Sequence, residues 1–281
     1  MIFALHRRTP SMRAPAFISI ALILITPLIS CTSKAGDKTI RSAGETKGQM
    51  SGSPPVSVQN AGVVWKMPAG RAPRFLFIHH STGSGFLDEG GMREKLKAAG
   101  FEVHDRTYGD GWVGENTNPD HFPITFTQHY DDMISWELGQ GQKYDIVAFK
   151  SCFPASNVCS DEELDKYKKY YETIKTVTKK HPETLFIAFS TPPLVPGATK
   201  PDCAKRARMF ADWLKGPYDE NEKNLVAYDL FDVLAESSPS SPDFNCLKKE
   251  YRKNESDSHP NKAANQSVAD NFTAWLTKQV G

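Results

Sequence analysis

From residue 74 onward, short apolar runs alternate with amphipathic segments, and this alternation constrains the fold more than any other feature. The runs have the length and composition of buried strands and occupy residues 75–78, 101–108, 144–149, 185–189 and 225–230. Between them, apolar side chains recur every three or four residues, as in helices packed by one face. Strands that alternate with helices form a parallel sheet covered on both faces. The sequence therefore predicts an α/β fold, a flavodoxin-like three-layer αβα sandwich with a five-stranded parallel sheet.

Several local signals place the helices between these strands. Ser160 and Glu163 form a capping box ahead of a long amphipathic stretch, and Gly100 is positioned to end a helix that begins near Leu87. A weaker helix is predicted near residues 126–138. Pro260 is expected in the first turn of a final helix.

Residues 1–30 have the features of a bacterial signal peptide. An apolar stretch over residues 16–29 is too short for a comfortable membrane span and fits the core of a leader. It follows a basic start that contains Arg7, Arg8 and Arg13. We expect this segment to direct export of the chain.

The leader ends in the sequence Leu-Ile-Ser-Cys at residues 28–31, which resembles the lipobox of bacterial lipoproteins. The resemblance implies lipidation of Cys31, with palmitate among the acyl chains, and cleavage just before it. Several acyl chains on one residue give stable membrane anchoring. Thr32 in place of an aspartate resembles lipoproteins sorted to the outer membrane. The alternative interpretation is an uncleaved helix with an accidental cysteine.

The lipidated cysteine and a flexible linker are expected to occupy residues 31–70, which are rich in Ser, Gly, Lys and Pro. One folded domain is predicted over residues 71–281, a suitable length for a single core. The whole chain has 34 basic and 33 acidic side chains. Such a balance, without a dense basic run, argues against a nucleic-acid partner.

Four cysteines follow the linker, and export places them where disulfides persist. Their spacing matches no zinc motif, so we predict disulfides or inert burial, no metal site and no cofactor. All four fall in loops or helix starts, so at least one disulfide is expected. The preferred pairing is Cys152 with Cys159 and Cys203 with Cys246.

In an open parallel sheet, ligands bind beyond the carboxyl ends of the strands, and chemically useful side chains follow several predicted strands here. Ser81 follows the first strand, preceded by His79 and His80, while Asp257 and His259 precede the final helix. A serine hydroxyl becomes a strong nucleophile when a neutral imidazole accepts its proton, and a carboxylate fixes the tautomer of that imidazole. Ser81, His259 and Asp257 are residue types suited to this chemistry.

This order of elements resembles the SGNH (GDSL-type) hydrolases, and the resemblance covers the chain from about Arg74 to its end. It implies Ser81 as the nucleophile, His259 as the general base and Asp257 as its partner. It further implies an oxyanion hole formed by the Ser81 amide, by Gly114 in a Gly-Glu-Asn-Thr run, and by Asn157. His79 and His80 depart from the usual Gly-Asp of the family. The single residue between Asp257 and His259 is also shorter than the usual spacing.

Other interpretations of these residues stay open at the level of sequence. Ser81 alternatively ends a strand or caps a helix, and Asp257 alternatively caps the final helix. His79 and His80 suggest a metal site together with residues such as His104, Asp105 or His121, but adjacent strand residues face opposite ways. The cluster Tyr167, Tyr170 and Tyr171 is predicted to pack in the core.

Two functions are consistent with the sequence. The favoured one is a serine esterase or deacetylase that acts on O-acyl esters such as acylated cell-surface glycans. The alternative is a catalytically inactive, SGNH-like lipoprotein that binds a glycan or a partner. A transferase would need an acyl donor that nothing in the sequence identifies.

Overall fold

The computed structural model describes residues 65–107, 111–113 and 118–281. The predicted signal peptide, the lipidation site Cys31, most of the linker and the oxyanion candidate Gly114 lie outside these residues. All of the described residues belong to one compact unit. Within the described part of the chain, no helix combines the length and the apolar character needed to cross a membrane.

Five parallel strands form the sheet at the centre of the domain. They are β1 Arg74–Ile78, β2 Glu102–Arg106, β3 Ile146–Lys150, β4 Leu185–Phe189 and β5 Leu225–Tyr228. Their spatial order is β2-β1-β3-β4-β5. In this flavodoxin-like order, the direction in which successive strands are added to the sheet reverses between β1 and β3. The predicted fold class is confirmed.

Helices connect the strands and cover both faces of the sheet. The described α-helices are α1 Ser81–Ser84, α2 Met92–Ala98, α3 His121–Gln128, α4 Tyr130–Ser135, α5 Asp161–Thr178, α6 Pro201–Trp213, α7 Leu230–Leu234 and α8 Lys262–Gln279. Two π-helical segments, Gly85–Glu89 and Leu214–Tyr218, continue α1 and α6. Short 3-10 turns lie at Phe153–Ser156, Pro196–Ala198 and Lys249–Tyr251.

Two apolar cores lie on opposite faces of the sheet because side chains alternate along each strand. On β3, Phe149 packs into one core with Tyr171 of α5 and Phe210 of α6. Its neighbour Ala148 belongs to the other core, which α2 and α8 cover with residues such as Leu96 and Phe272. The chain is therefore a three-layer sandwich with α8 on the same side as α1 and α2.

The helix boundaries differ from the predicted ones where the backbone turns sharply. The helix expected from Leu87 to Gly100 is divided at Gly91, whose φ of 73° is left-handed. The weak helix near residues 126–138 is two short helices, α3 and α4, that meet at His129. The capping interaction is present, since the Ser160 hydroxyl accepts the Glu163 backbone N–H at 3.1 Å.

The domain includes residues that precede its predicted start at residue 71. The Trp65 backbone N–H donates to the Gln279 carbonyl at 2.8 Å, and the Gly281 N–H donates to the Trp65 carbonyl at 3.2 Å. Trp65 and Met67 pack against the core that contains α8. The last residues assigned to the linker thus contact the end of the final helix.

The preferred cysteine pairing is wrong. Cys159 is bonded to Cys203, while Cys152 and Cys246 are buried free thiols. Cys159 lies just before α5 and Cys203 lies in the first turn of α6, and these adjacent helices cover the same face of the sheet. The 3-10 turn at Phe153–Ser156 separates Cys152 from Cys159 despite their closeness in sequence.

Candidate active site

Ser81 is the first residue of α1, directly beyond the carboxyl end of β1. The helix begins with His80 at the N-cap position, in extended conformation, and no side chain caps it. The Gly83 backbone N–H donates to the His80 carbonyl at 2.7 Å. Ser81 is therefore not the cap of this helix, and its hydroxyl is available for another contact.

The Ser81 hydroxyl lies against His259, from the loop that precedes α8. The distance from Ser81 Oγ to His259 Nε2 is 3.0 Å, across a sequence separation of 178 residues. On the far side of the ring, His259 Nδ1 lies 2.6 Å from Asp257 Oδ1. Because a carboxylate only accepts, Nδ1 carries the proton and Nε2 is free to accept from the serine.

Asp257 is oriented by its hydrogen bonds to His259. Its Oδ1 accepts the His259 backbone N–H at 2.9 Å as well as the ring N–H. This compact turn explains how a spacing of one residue places carboxylate and imidazole together. These two hydrogen bonds, the backbone one foremost, lower the pKa of the Asp257 carboxyl below its usual value. The carboxyl group is thus ionised at neutral pH.

The alternative role of Asp257 as the cap of the final helix is wrong. Asn261 occupies the N-cap position of α8, and its side-chain oxygen accepts the Ala264 backbone N–H at 3.0 Å. The Asn261 amide also donates to the Glu250 carbonyl at 2.8 Å. Pro260 consequently precedes the cap instead of lying in the first turn. Asn261 thus caps the helix and leaves the Asp257 carboxylate to the His259 ring and its backbone N–H.

Asn157, the third predicted oxyanion donor, lies after the 3-10 turn that follows β3. It is exposed, and its side-chain oxygen accepts the Thr199 hydroxyl at 2.8 Å. Among the described residues no hydrogen bond joins Asn157 to Ser81, His259 or Asp257. Its oxyanion role stays a prediction, as does that of Gly114.

Phe153 also borders the site, although the sequence did not indicate it. Its ring packs edge-on against the His259 ring with centroids 5.0 Å apart. An apolar ring in this position limits the rotation of the imidazole. The residue belongs to the segment between β3 and Asn157.

A buried polar chain starts at His79, two residues before Ser81; the sequence had grouped His79 and Asp105 only as possible metal ligands. His79 is 1% exposed, and its Nε2 lies 3.0 Å from Asp105 Oδ2. The second oxygen of Asp105 lies 2.8 Å from Arg93 Nη2. Burial alone would raise the pKa of Asp105, but hydrogen bonds from His79 and Arg93 leave it below its usual value. Within the described residues, no group of three His, Cys, Asp or Glu side chains is placed to hold a metal ion.

A groove of about 300 Å³ begins at Ser81 and His259 and runs along α1 toward the first turn of α8. Its far end contains Asp88, Glu89 and Asn265, and Lys253 also lines it. The buried Asn265 amide donates to Glu89 and so orients that carboxylate. The groove wall is therefore rich in hydrogen-bond acceptors.

The hydrogen-bonded line of Ser81, His259 and Asp257 is suited to acyl transfer. The imidazole accepts the serine proton as Oγ attacks a carbonyl carbon, and the carboxylate stabilises the imidazolium that forms. The same proton is then placed to protonate a leaving group on the His259 side of the site. No other described arrangement in the chain offers this combination.

Comparison with solved structures supports the fold. A structure described as a platelet activating factor from Streptococcus pneumoniae shares 15% identity, covers 74% of this chain and 86% of its own, and gives a TM-score of 0.50. One named as an acylhydrolase from Bacteroides fragilis shares 14% identity over 75% and 90%, with a TM-score of 0.48.

A family two carbohydrate esterase from Clostridium thermocellum, in complex with cellohexaose, shares 13% identity over 75% and 66% of the two chains, with a TM-score of 0.45. Of these likenesses, the first, at 15% identity and a TM-score of 0.50, shows the α/β fold alone. No protein-family model matches the chain, and no curated protein matches it.

Proposed function

We propose that this protein is a serine esterase of the SGNH type that hydrolyses O-acyl esters. The observation that supports this most is the continuous hydrogen-bonded line from Ser81 Oγ through His259 to Asp257, with distances of 3.0 and 2.6 Å. Ser81 attacks the ester carbonyl, and His259 passes the proton to the leaving alcohol. Water then attacks the acyl-serine, with His259 again as base.

The test is turnover of a small acyl ester by Ser81→Ala and His259→Ala variants. Each should lose roughly a thousandfold or more, and the double variant should lose little beyond that, because the residues act as a unit. Ser135→Ala and His129→Ala are matched controls. Ser135 is an exposed helical serine that donates to its own helix, and His129 pairs with Asp132 at 3.4 Å away from the site.

An unchanged rate in the Ser81→Ala variant would exclude the mechanism. A wild-type protein that is inert toward every acyl ester would favour the alternative, a glycan- or partner-binding module.

An acylated carbohydrate is the substrate class that we propose within this function. His259 Nε2 must reach the leaving oxygen, so the alcohol part of the ester lies in the groove that His259 borders. The acceptor groups there, above all the carboxylate of Glu89 oriented by Asn265, suit an alcohol with several further hydroxyl donors.

The matched substrates are the acetate of a sugar hydroxyl and cyclohexyl acetate. We expect a higher kcat/KM for the sugar acetate than for cyclohexyl acetate. In Glu89→Gln this preference should fall about tenfold, which corresponds to about 1.4 kcal/mol. Glu94→Gln, a change at an exposed position of α2, should keep the preference. Equal preference in all three proteins would refute the assignment of the groove.

For the location of the protein, we propose export and anchoring to a membrane through lipidated Cys31. This anchoring would hold the enzyme near cell-surface substrates. The support is the basic start, the apolar run and the Leu-Ile-Ser-Cys sequence at residues 28–31. Labelled palmitate should be incorporated by the wild type and not by Cys31→Ser, while Cys246→Ser should still be labelled. Label retained in Cys31→Ser would disprove the lipoprotein assignment.

A further inference from the structure

His79 directly follows β1, two residues before the nucleophile, and connects two parts of the molecule. On one side, its Nε2 meets Asp105 Oδ2 at 3.0 Å, and Arg93 holds the other carboxylate oxygen at 2.8 Å. On the other side, its Nδ1 lies 3.0 Å from the His80 carbonyl oxygen. A line of polar contacts thus runs from α2 through β2 to the peptide that begins α1.

Both ring nitrogens of His79 face groups that only accept hydrogen bonds. A neutral imidazole has one N–H and satisfies one acceptor, whereas the imidazolium has two and satisfies both. Asp105 supplies the opposite charge, and its bond to Arg93 keeps it ionised. With the ring 1% exposed, leaving either contact unmade would be costly. The ring is therefore held between a carboxylate and a carbonyl, with Nδ1 facing the carbonyl.

The carbonyl that His79 contacts belongs to the same peptide group as the Ser81 N–H. In a trans peptide these two dipoles point in opposite directions, so fixing the His80 carbonyl toward His79 and the Gly83 N–H fixes the Ser81 N–H on the other side. A hydrogen bond to the carbonyl also polarises the peptide and strengthens its N–H as a donor. Among the described residues, the Ser81 N–H donates to no acceptor.

We propose that His79 is a positioning residue for the oxyanion hole, which acts by donating from Nδ1 to the His80 carbonyl and thereby orients and strengthens the Ser81 N–H. The inference rests on the proposed function, since it concerns the oxyanion formed when Ser81 attacks an ester. Arg93 and Asp105 complete the device by holding the ring.

His79 also has a packing role that any test must separate from this one. A Cβ on Gly83 would lie 2.4 Å from the His79 Cβ, so the first turn of α1 rests directly on this side chain. Removing the ring would loosen that turn whatever the role of its protons. The informative variants therefore keep a side chain of similar size and change only where it donates.

Asparagine and glutamine provide this comparison. An asparagine amide reaches about as far as Nδ1 and can still donate to the His80 carbonyl, whereas a glutamine amide reaches about as far as Nε2 and meets Asp105. We expect kcat to fall about tenfold in His79→Gln with KM within about twofold, less than the hundredfold or more that loss of an entire oxyanion donor costs. His79→Asn should stay within about threefold of the wild type.

A second readout is the affinity for an alkylboronic acid, which bonds to Ser81 Oγ and places a boronate oxygen in the oxyanion hole. Its Kd should weaken in His79→Gln by the same factor as kcat and change little in His79→Asn. Asp105→Asn, which removes the carboxylate that holds His79 Nε2, should weaken both readouts in the same direction. His104→Gln is the control, because His104 contacts Glu102 and Tyr144 instead of α1.

Equal losses in His79→Gln and His79→Asn, or a lower melting temperature with unchanged kcat and boronate affinity, would show a purely structural role and overturn the inference. A wild-type protein that neither turns over esters nor binds the boronate would overturn the proposed function, and the inference with it. The two failures are distinguished by the wild-type measurement alone.

Discussion

Lys150 ends β3, and none of its side chain is exposed. Its Nζ donates to the Ser151 carbonyl at 3.2 Å. Burial in the protein interior lowers the pKa of this lysine, because an ammonium group there loses its hydration without gaining a carboxylate partner among the described residues. The position is thus a cost to the stability of the fold.

We expect Lys150→Met to raise the free energy of unfolding by about 1 kcal/mol or more at neutral pH, since it replaces a buried polar group by an apolar one of similar volume. The gain should shrink as the pH rises toward the ordinary lysine value. With its folded pKa depressed, the wild type gains stability with rising pH until the unfolded lysine is also neutral. Denaturant unfolding between neutral and alkaline pH measures both effects.

Lys169→Met, on an exposed position of α5, is the matched control and should change the free energy of unfolding little. A Lys150→Met protein that is less stable than the wild type at every pH would mean that the amine makes a favourable contact beyond the Ser151 carbonyl.

At the scale of elements, the link between α5 and α6 depends on the disulfide Cys159–Cys203 and on a neighbouring ion pair. Arg206 Nε donates to Asp161 Oδ1 at 2.6 Å beside the bridge. The disulfide closes a loop with a sequence separation of 44 residues. Such a crosslink is expected to stabilise by about 4 kcal/mol, chiefly by restricting the unfolded chain.

The Cys159→Ala/Cys203→Ala double variant should therefore unfold with a free energy about 4 kcal/mol lower than that of the wild type. Dithiothreitol should destabilise the wild type by a similar amount and leave the double variant unchanged, which separates the crosslink from the loss of buried side-chain atoms. Peptide mapping without reduction should find Cys159 linked to Cys203. A Cys152-linked peptide would contradict the structure.

How far the sequence predicts these features depends on whether they are local. The strands follow from short apolar runs. The meeting of Ser81 with Asp257 and His259 follows from the position of Ser81 after the first strand and of the other two before the final helix of one parallel-sheet fold. The disulfide depends instead on which helices lie side by side, and spacing along the chain favoured the wrong partner for Cys159. The bounds of α3 and α4 depend on a backbone turn at His129 that no residue pattern signals.

Other parts of the site were missed because the residue types involved have several common roles, and their order along the chain does not show which role applies. Arg93 and Asp105 are ordinary surface residue types. Asp105 lies beside His79 because β2 pairs with β1, and Arg93 reaches it from α2. Asn265 has the appearance of a polar residue on a helix, yet it is 2% exposed and faces Glu89. Asn261 is a common capping residue type, but Asp257, four residues earlier, is also one, and the sequence analysis considered Asp257 as the cap.

At the scale of the whole molecule, the site joins the two ends of the domain. Ser81 follows the first strand, and His259 precedes the last helix. The two are held together because α8 packs on the π-helical segment that continues α1. Where this segment ends at Gly90, a Cβ would lie 2.3 Å from the carbonyl oxygen of Asn265 in α8. It would also lie 2.6 Å from the carbonyl oxygen of Phe86 in the segment itself. The contact is backbone against backbone, so it cannot yield by a side-chain rotation.

Gly90→Ala should therefore displace the first turn of α8 and lengthen the distance from Ser81 Oγ to His259 Nε2. We expect the free energy of unfolding to fall by about 1–3 kcal/mol, as for other overpacked sites. Ester turnover at a temperature where the variant is still folded should fall as well, and the two losses measured together show that packing at this contact sets the catalytic geometry. Gly216→Ala is the matched control, since a Cβ there meets nothing within 4 Å, and it should leave stability and turnover near those of the wild type. If Gly90→Ala lost stability but kept full turnover, the loop containing His259 would hold its position independently of α8.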